Sequence, residues 1–280
     1  MNFLFATTAG PRFGGPHSQV LRLTRPLADR GWQTTALMPL EPDNPAERLR
    51  SAGVDVVELP LHRLQARPNP VKHLEYLVSL PGEVRRIRRL LAAKLIDLVV
   101  VAGHFNPQAA IAARLQGLPV VWQIIDTYPP MLHRRLFMPM VTRLSDSLMS
   151  TGVKVAHEHP GAEQFGARLV PFFFPVDAAF FKPMTREQRM AARKELGLEA
   201  DDCVIGTVGN ISTMKGHGLF ITAALTLRRT HPETRFVILG SSVGADSSYA
   251  EGLWRRAESN GLRLGRDLIV RDPGIEVARF

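Results

Sequence analysis

Short aliphatic runs alternate along the whole chain with longer stretches of helical periodicity. The runs 2–7, 33–38, 54–59, 96–102, 119–125 and 147–151 are nearly continuous in apolar character, the pattern of strands covered on both faces. Between them, 17–30 places Val20, Leu23 and Leu27 on one helical face, with Arg22, Arg25 and Asp29 elsewhere. The Ala-rich stretch 106–116 stops at Gly117, with Pro119 just beyond. Strand followed by helix, repeated, predicts βαβ units: an α/β chain with a parallel sheet and helices on both of its faces.

The pattern breaks near 168–183. A last strand at 169–174 gives way to Pro175, Val176, Asp177, the pair Phe180 and Phe181, Lys182 and Pro183. A second series then follows, with strands at 203–208, 234–239 and 267–270 and helices at 186–196, 216–230 and 247–260. The expected organisation is a first Rossmann-like domain over 1–173, a Pro- and Phe-rich hinge over 174–186, and a second Rossmann-like domain over 187–280. Three strands are few for an open parallel sheet, so the second domain is expected to be incomplete at its C-terminal side. A strand edge left open there invites aggregation.

Composition narrows the class. Hydrophobic residues make up 45% and charged residues 22% of 280, which excludes disordered and collagen-like chains and leaves room for two domains. The one cysteine, Cys203, can form neither an internal disulfide nor a Cys-cluster zinc site, in keeping with a reducing compartment. No apolar run approaches the roughly 18 residues of a membrane span. The segment 1–8 lacks the basic region and cleavage pattern of a signal peptide, so a cytoplasmic location is expected.

Lys plus Arg outnumber Asp plus Glu by 35 to 26, a net charge of +9. Nucleotide phosphates, nucleic acid and an anionic membrane face all suit that excess, as does a plain preference for Arg in GC-rich coding. Aromatic residues are only 7% and do not interleave with the basic ones, so no nucleic-acid partner is expected. The helical stretch 83–95 carries Arg85, Arg86, Arg88, Arg89 and Lys94 opposite Val84, Ile87, Leu91 and Leu95. Such a helix either touches anionic lipid heads or is the solvated outer helix of a sheet.

In open α/β sheets, ligands bind where strands end and helices begin, which singles out four loops. Gly14 and Gly15 open the first helix; they permit close approach by a phosphate or sugar, or serve a tight turn, and their spacing is not that of a dinucleotide site. In the loop 208–216, Gly209 and Asn210 lead to Lys215 and Gly216, where a lysine ammonium can meet a diphosphate or stay solvated in a turn. Asp126, before Pro129 and Pro130 at the exit of a buried strand, can orient a sugar hydroxyl or brace the turn; His104 is its neighbour candidate. Gly240 ends a strand beside the Lys215 loop. No His-Glu-x-x-His or Gly-x-Ser-x-Gly motif occurs, and the nine histidines do not cluster, so no metal site is expected.

In order and spacing, these segments resemble the retaining glycosyltransferases of family four, which have the GT-B fold. Gly14-Gly15 is similar to that family's N-terminal glycine loop. The stretch Pro171, Phe172, Phe173, Phe174, Pro175, Val176 and Asp177, followed by Phe180 and Phe181, resembles its hinge, and 208–216 its Lys-Gly motif. The resemblance implies transfer of a sugar from a nucleotide-diphosphate-sugar donor, with anomeric retention, to a glycan, lipid-linked or small-molecule acceptor. It implies a diphosphate near Lys215 and Gly15, the base against the second domain, the acceptor held by the first, and no cofactor or metal. Peripheral contact with the inner membrane face would accompany a lipid-linked acceptor.

Four departures accompany the resemblance, the first being that the hinge 171–177 lacks the family's Asn-Gly pair. Asn210 stands where the family has a phosphate-contacting Arg, and Ile125 where it often has a His. The sequence also stops at Phe280, before the family's paired glutamates. A fragment of a transferase is therefore expected, or alternatively a non-catalytic GT-B remnant that binds a nucleotide, glycan or protein partner.

Overall fold

Continuous apolar runs become a parallel sheet because only a sheet with helices on both sides can bury them. The computed structural model describes all 280 residues except 8–12, 43, 64–68, 104–105, 128, 177, 179, 243–245 and 275–276. They fall into two units, Met1–Val176 and Asp177–Phe280. The first unit runs β1 (Asn2–Thr7), α1 (Gly15–Ala28), β2 (Gln33–Pro39), α2 (Ala46–Ser51), β3 (Asp55–Leu59), α3 (Pro70–Ala93), β4 (Leu98–Ala102), α4 (Gln108–Arg114), β5 (Val120–Ile124), α5 (Met131–Leu144), β6 (Ser147–Ser150), α6 (Val153–His157) and β7 (Leu169–Pro171).

The seven strands lie in the order β3-β2-β1-β4-β5-β6-β7, every pair parallel. Alternate residues of each strand feed opposite cores. Leu4, Val99, Val101 and Trp122 pack with Ile87 and Leu91 of α3, the alanines of α4 and Met138 of α5. Phe3, Phe5, Ala36 and Met38 pack instead with Val20 of α1 and Leu49 of α2. The strand order reverses at β1, which separates β2 from β4, so ligand-binding loops belong at the C-terminal ends of β1 and β4.

The helix expected over 83–95 is the second half of a longer one. Asn69 caps α3 by accepting from the Lys72 amide at 3.1 Å, and Pro70 takes the first helical position. At the other end the chain turns left-handed at Leu95 (φ 49°), and the Ile96 amide reaches back to the Leu91 carbonyl at 3.0 Å. Leu95 is therefore 74% exposed and does not join Val84, Ile87 and Leu91 on the buried face. Sequence reasoning also passed over α5, because Pro130 precedes it and Pro139 interrupts its pattern. The strand expected over 169–174 shrinks to the three residues of β7.

The second unit comprises α7 (Arg186–Glu195), β8 (Val204–Val208), α8 (His217–Leu227), β9 (Arg235–Leu239), α9 (Asp246–Ser259) and β10 (Leu268–Arg271). Its sheet has three parallel strands in the order β10-β9-β8. Phe236 and Ile238 face α8 and α9, while Val237, Leu239 and Ile269 face Leu198. β8 departs from the buried-strand pattern. It is an edge strand of this sheet, and Ile205 and Val208 are 38% and 61% exposed.

An ionic hub anchors the start of β10. Asp267 is 1% exposed and accepts from Arg263 Nε at 2.7 Å, Arg263 Nη2 at 3.0 Å and the Arg263 amide at 3.0 Å, while Arg228 Nη1 lies 2.7 Å away. Burial opposes ionisation of this carboxyl, yet the hydrogen bonds from Arg263 and Arg228 outweigh it and hold its pKa well below the ordinary carboxylate value. A depressed carboxylate pKa stabilises the fold above its unfolded value and loses that contribution as pH falls below it. Asp267→Ala should destabilise the second unit by about 3 kcal/mol at pH 7 in urea titrations. A loss below about 0.5 kcal/mol would show that the hub is not structural.

Candidate functional site

Two loop clusters lie at C-terminal strand ends, one in each unit. In the first unit, Gly14 is the N-cap of α1 and its amide donates to Nδ1 of His17 at 3.1 Å. His17 is fully buried, and its other ring nitrogen has no partner among the described residues. Because Nδ1 accepts, the neutral ring carries its proton on Nε2. Burial, reinforced by the nearby Arg63 guanidinium, pushes this imidazole down from 6.5 to about 4. Arg63 itself pairs with Glu41 at 2.7 Å, and the Arg48 guanidinium lies 3.8 Å over the Phe13 ring.

Gly15 has a packing task that its sequence does not announce. A Cβ there would stand 3.2 Å from the Phe174 ring, so the missing side chain admits this aromatic residue. Asp126 follows β5, the next strand but one from β1 in the sheet, and is half-buried. It bears electrostatically on His159, a fully buried residue whose Nδ1 donates to the Val155 carbonyl at 2.7 Å. Burial lowers the His159 pKa, and Arg134 adds to that effect against Asp126. Arg134, 8% exposed, donates to the Pro129 carbonyl at 3.0 Å and to the Glu158 carbonyl, so it ties the Pro-Pro turn to the segment after α6. His104 lies outside the described residues.

A third buried polar group was not anticipated from the sequence. Glu83 on α3 is fully buried and accepts from the His62 amide at 3.0 Å, from His62 Nδ1 at 2.5 Å and from Gln108 Nε2 at 3.0 Å. It fastens the chain after β3 to α3 and α4. The signal available was a lone acid in a helix face otherwise apolar and basic, and periodicity does not say that such an acid points inward.

In the second unit, Asn210, Lys215, Gly216 and Gly240 lie on the adjoining loops after β8 and β9. Gly209 and Gly240 end the adjacent strands β8 and β9, and a Cβ on Gly240 would overlap the Gly209 carbonyl oxygen at 2.0 Å. The Gly209 amide donates to Leu239 O at 2.9 Å, and the Ile211 amide to Ser241 O at 3.0 Å. Gly216, left-handed at φ 74°, caps α8 and turns the loop into the helix. Lys215 is exposed, with its methylenes folded against Gly209, and Asn210 is exposed beside it. His217, the first residue of α8, is 1% exposed, and both its ring nitrogens lack partners among the described residues. The amides and dipole of the α8 N-terminus, an exposed lysine and a buried imidazole without partners among the described residues thus stand within three successive residues after one strand end, a set suited to anionic oxygens.

Two outcomes test this geometry. Gly240→Ala should cost the second unit about 2 kcal/mol in denaturant unfolding, because backbone and not a flexible side chain must yield. An NMR titration should place the His17 midpoint near pH 4, and the neutral ring's stabilisation, about 3 kcal/mol, should be full above pH 6.5 and lost as pH falls toward 4. A midpoint near 6.5 would mean that water reaches the ring.

Comparison with known proteins agrees with this architecture. Residues 14–157, half of the chain, match the family described as glycosyl transferase 4-like domain. D-inositol 3-phosphate glycosyltransferase of Acidothermus cellulolyticus is 36% identical over 267 residues, covering 86% of this chain and 57% of that enzyme. The 2-deoxystreptamine N-acetyl-D-glucosaminyltransferase of Streptomyces fradiae is 27% identical over 230 residues, covering 75% of this chain and 54% of that one. The chain thus spans little more than half the length of these relatives. Among solved structures, Anabaena HepE in complex with UDP and glucose superposes with a TM-score of 0.74 at 17% identity, covering 100% of this chain and 71% of that one. With parallel α/β units, glycine-lined strand ends and these matches together, the chain belongs to the glycosyl transferase 4-like family and has the GT-B fold.

Proposed function

We propose that this chain is all or part of a glycosyltransferase that takes a sugar from a nucleotide-diphosphate-sugar donor and passes it, with retention at the anomeric carbon, to a glycan, lipid-linked or small-molecule acceptor. The grouping of Gly209, Lys215, Gly216 and His217 at the α8 N-terminus carries the reading. Negative charge grows on the leaving diphosphate as the glycosidic bond breaks, and donors already in position stabilise it without reorganising. In this reading the Lys215 ammonium and the α8 amides meet that charge, and Nδ1 or Nε2 of His217 adds a hydrogen bond to a donor oxygen. The glycines at 209 and 240 keep side chains out of the approach. No metal is needed for that task.

The names of the relatives support the donor class: the inositol-phosphate and aminocyclitol enzymes are sugar transferases, and HepE was solved with UDP and with UDP-glucose. In the first unit, Asp126 and His104 follow β5 and β4 and are the residues proposed to face the reacting sugar and the acceptor; Gly14 and the Arg48 cation at the α1 N-terminus add to the positive field. A second reading, binding without turnover, is favoured by Asn210, which is exposed and uncharged where the family resemblance implies an arginine.

Calorimetry with UDP as probe tests the site. Lys215→Ala should weaken binding about tenfold or more, the effect of losing one charge-assisted hydrogen bond, while Lys194→Ala, an exposed lysine of the same unit, should leave it unchanged. Equal affinity of Lys215→Ala and the parent protein would remove the donor site from this loop. Tight binding of UDP-sugars with no sugar release in the full-length protein would favour the second reading.

A further inference from the structure

The outward face of α3 carries an apolar stripe beside the exposed Lys72–Glu75 ion pair. Tyr76, Glu83, Val84, Ile87 and Leu91 form its buried side. Opposite them, at spacings of three and four, stand Val71, Leu74 and Val78, which are 65%, 62% and 74% exposed. The same stripe continues two turns later into Arg85 and Arg89, both exposed and without a carboxylate partner among the described residues. At 24 residues α3 is about 36 Å long, twice the reach of the five-residue strands it crosses, and apart from Tyr76 its buried residues all lie in its second half.

A second stripe matches the first. On α5, Leu132 and Leu136 are 66% and 72% exposed, with Arg135 and Arg143 exposed beside them and no acidic residue anywhere in the helix. α3 and α5 belong to the same helical layer, because both pack with α4 against one face of the sheet. Both helices return against parallel strands, so their first turns rise at the same edge. The two stripes therefore flank α4 on the same side of the sheet, each pairing exposed apolar side chains with exposed arginines. Charge complementarity chooses the occupant: a second copy would bring the same arginines against these, whereas anionic head groups would satisfy them while leucine and valine enter the acyl boundary.

We infer that the α3–α5 face of the first unit docks on an anionic lipid surface, with Val71, Leu74, Val78, Leu132 and Leu136 inserted and Arg85, Arg89 and Arg135 at head-group level. Among the described residues no helix is long and apolar enough to cross a membrane, so this contact is peripheral. It is independent of the donor site. The reading moves the lipid contact expected at 83–95 toward the start of the helix, where the apolar residues stand.

Co-sedimentation of the full chain with phosphatidylcholine vesicles, with and without 30 mol% phosphatidylglycerol (about the anionic fraction needed for a clear surface potential), tests it. Binding should require the anionic lipid and fall as salt rises. Leu74→Ser/Val78→Ser and Arg85→Ala/Arg89→Ala should each reduce it about tenfold or more, with unchanged circular dichroism and UDP affinity, since these side chains support no core. Equal binding by the variants, or no preference for anionic vesicles, would overturn the inference. So would a dimer in solution that the Leu74→Ser/Val78→Ser variant abolishes, because the stripe would then be covered by a second copy.

Discussion

A parallel strand cannot turn back on its neighbour, so every connection in this chain must travel the length of the sheet through a helix. That constraint delivers the loops after β1, β4 and β5 of the first unit to one edge, and those after β8 and β9 of the second unit to one edge of its sheet. Residues far apart in sequence thereby emerge from neighbouring strands. Gly14, Asp126 and the sequence position of His104 belong to three strands that lie side by side, and Gly209 and Gly240 to two. The chemistry of the chain is sited by connectivity first and by side chains second.

Within that frame, the glycines do two kinds of work. Gly240 is a matter of volume: the Gly209 carbonyl occupies the place where its side chain would be. Gly216 is a matter of backbone angle, since its left-handed conformation lets the loop enter α8 with the amides outward. Close strand ends and the turn at Gly216 together set the exposed Lys215 and the buried His217 on either side of the start of α8. Electrostatics alone would not bring them there.

Much of this was legible in the sequence. Strands such as β1, β4, β5 and β9 declare themselves because buried parallel strands are largely apolar runs, and the Lys215 loop because glycines flank a basic residue at a strand-to-helix junction. What the sequence hid was direction. Glu83 sits in a helix that reads as basic and amphipathic, and only the packing of α3 against α4 turns it inward toward His62 and Gln108. His217 and His17 carry no signal of their own in the sequence, and only burial shows that His17 Nε2 and both His217 ring nitrogens lack partners among the described residues. Gly15 also packs under the Phe174 ring, a contact that no local pattern encodes. Leu95 keeps helical phase but lies beyond the residue where the helix ends.

The packing of Phe174 over Gly15 has a consequence for how the first unit comes into being. It joins the opening turn of the first helix to the last residues of the unit, so the loop it closes encloses nearly the whole seven-stranded sheet. Closing so large a loop is entropically expensive and depends on the sheet already being in place. On a ribosome, α1 would emerge and wait with its glycine uncovered until residue 174 cleared the exit tunnel. The first unit is thus fastened last at the point where its chain began, and a nascent chain shorter than that lacks the clasp.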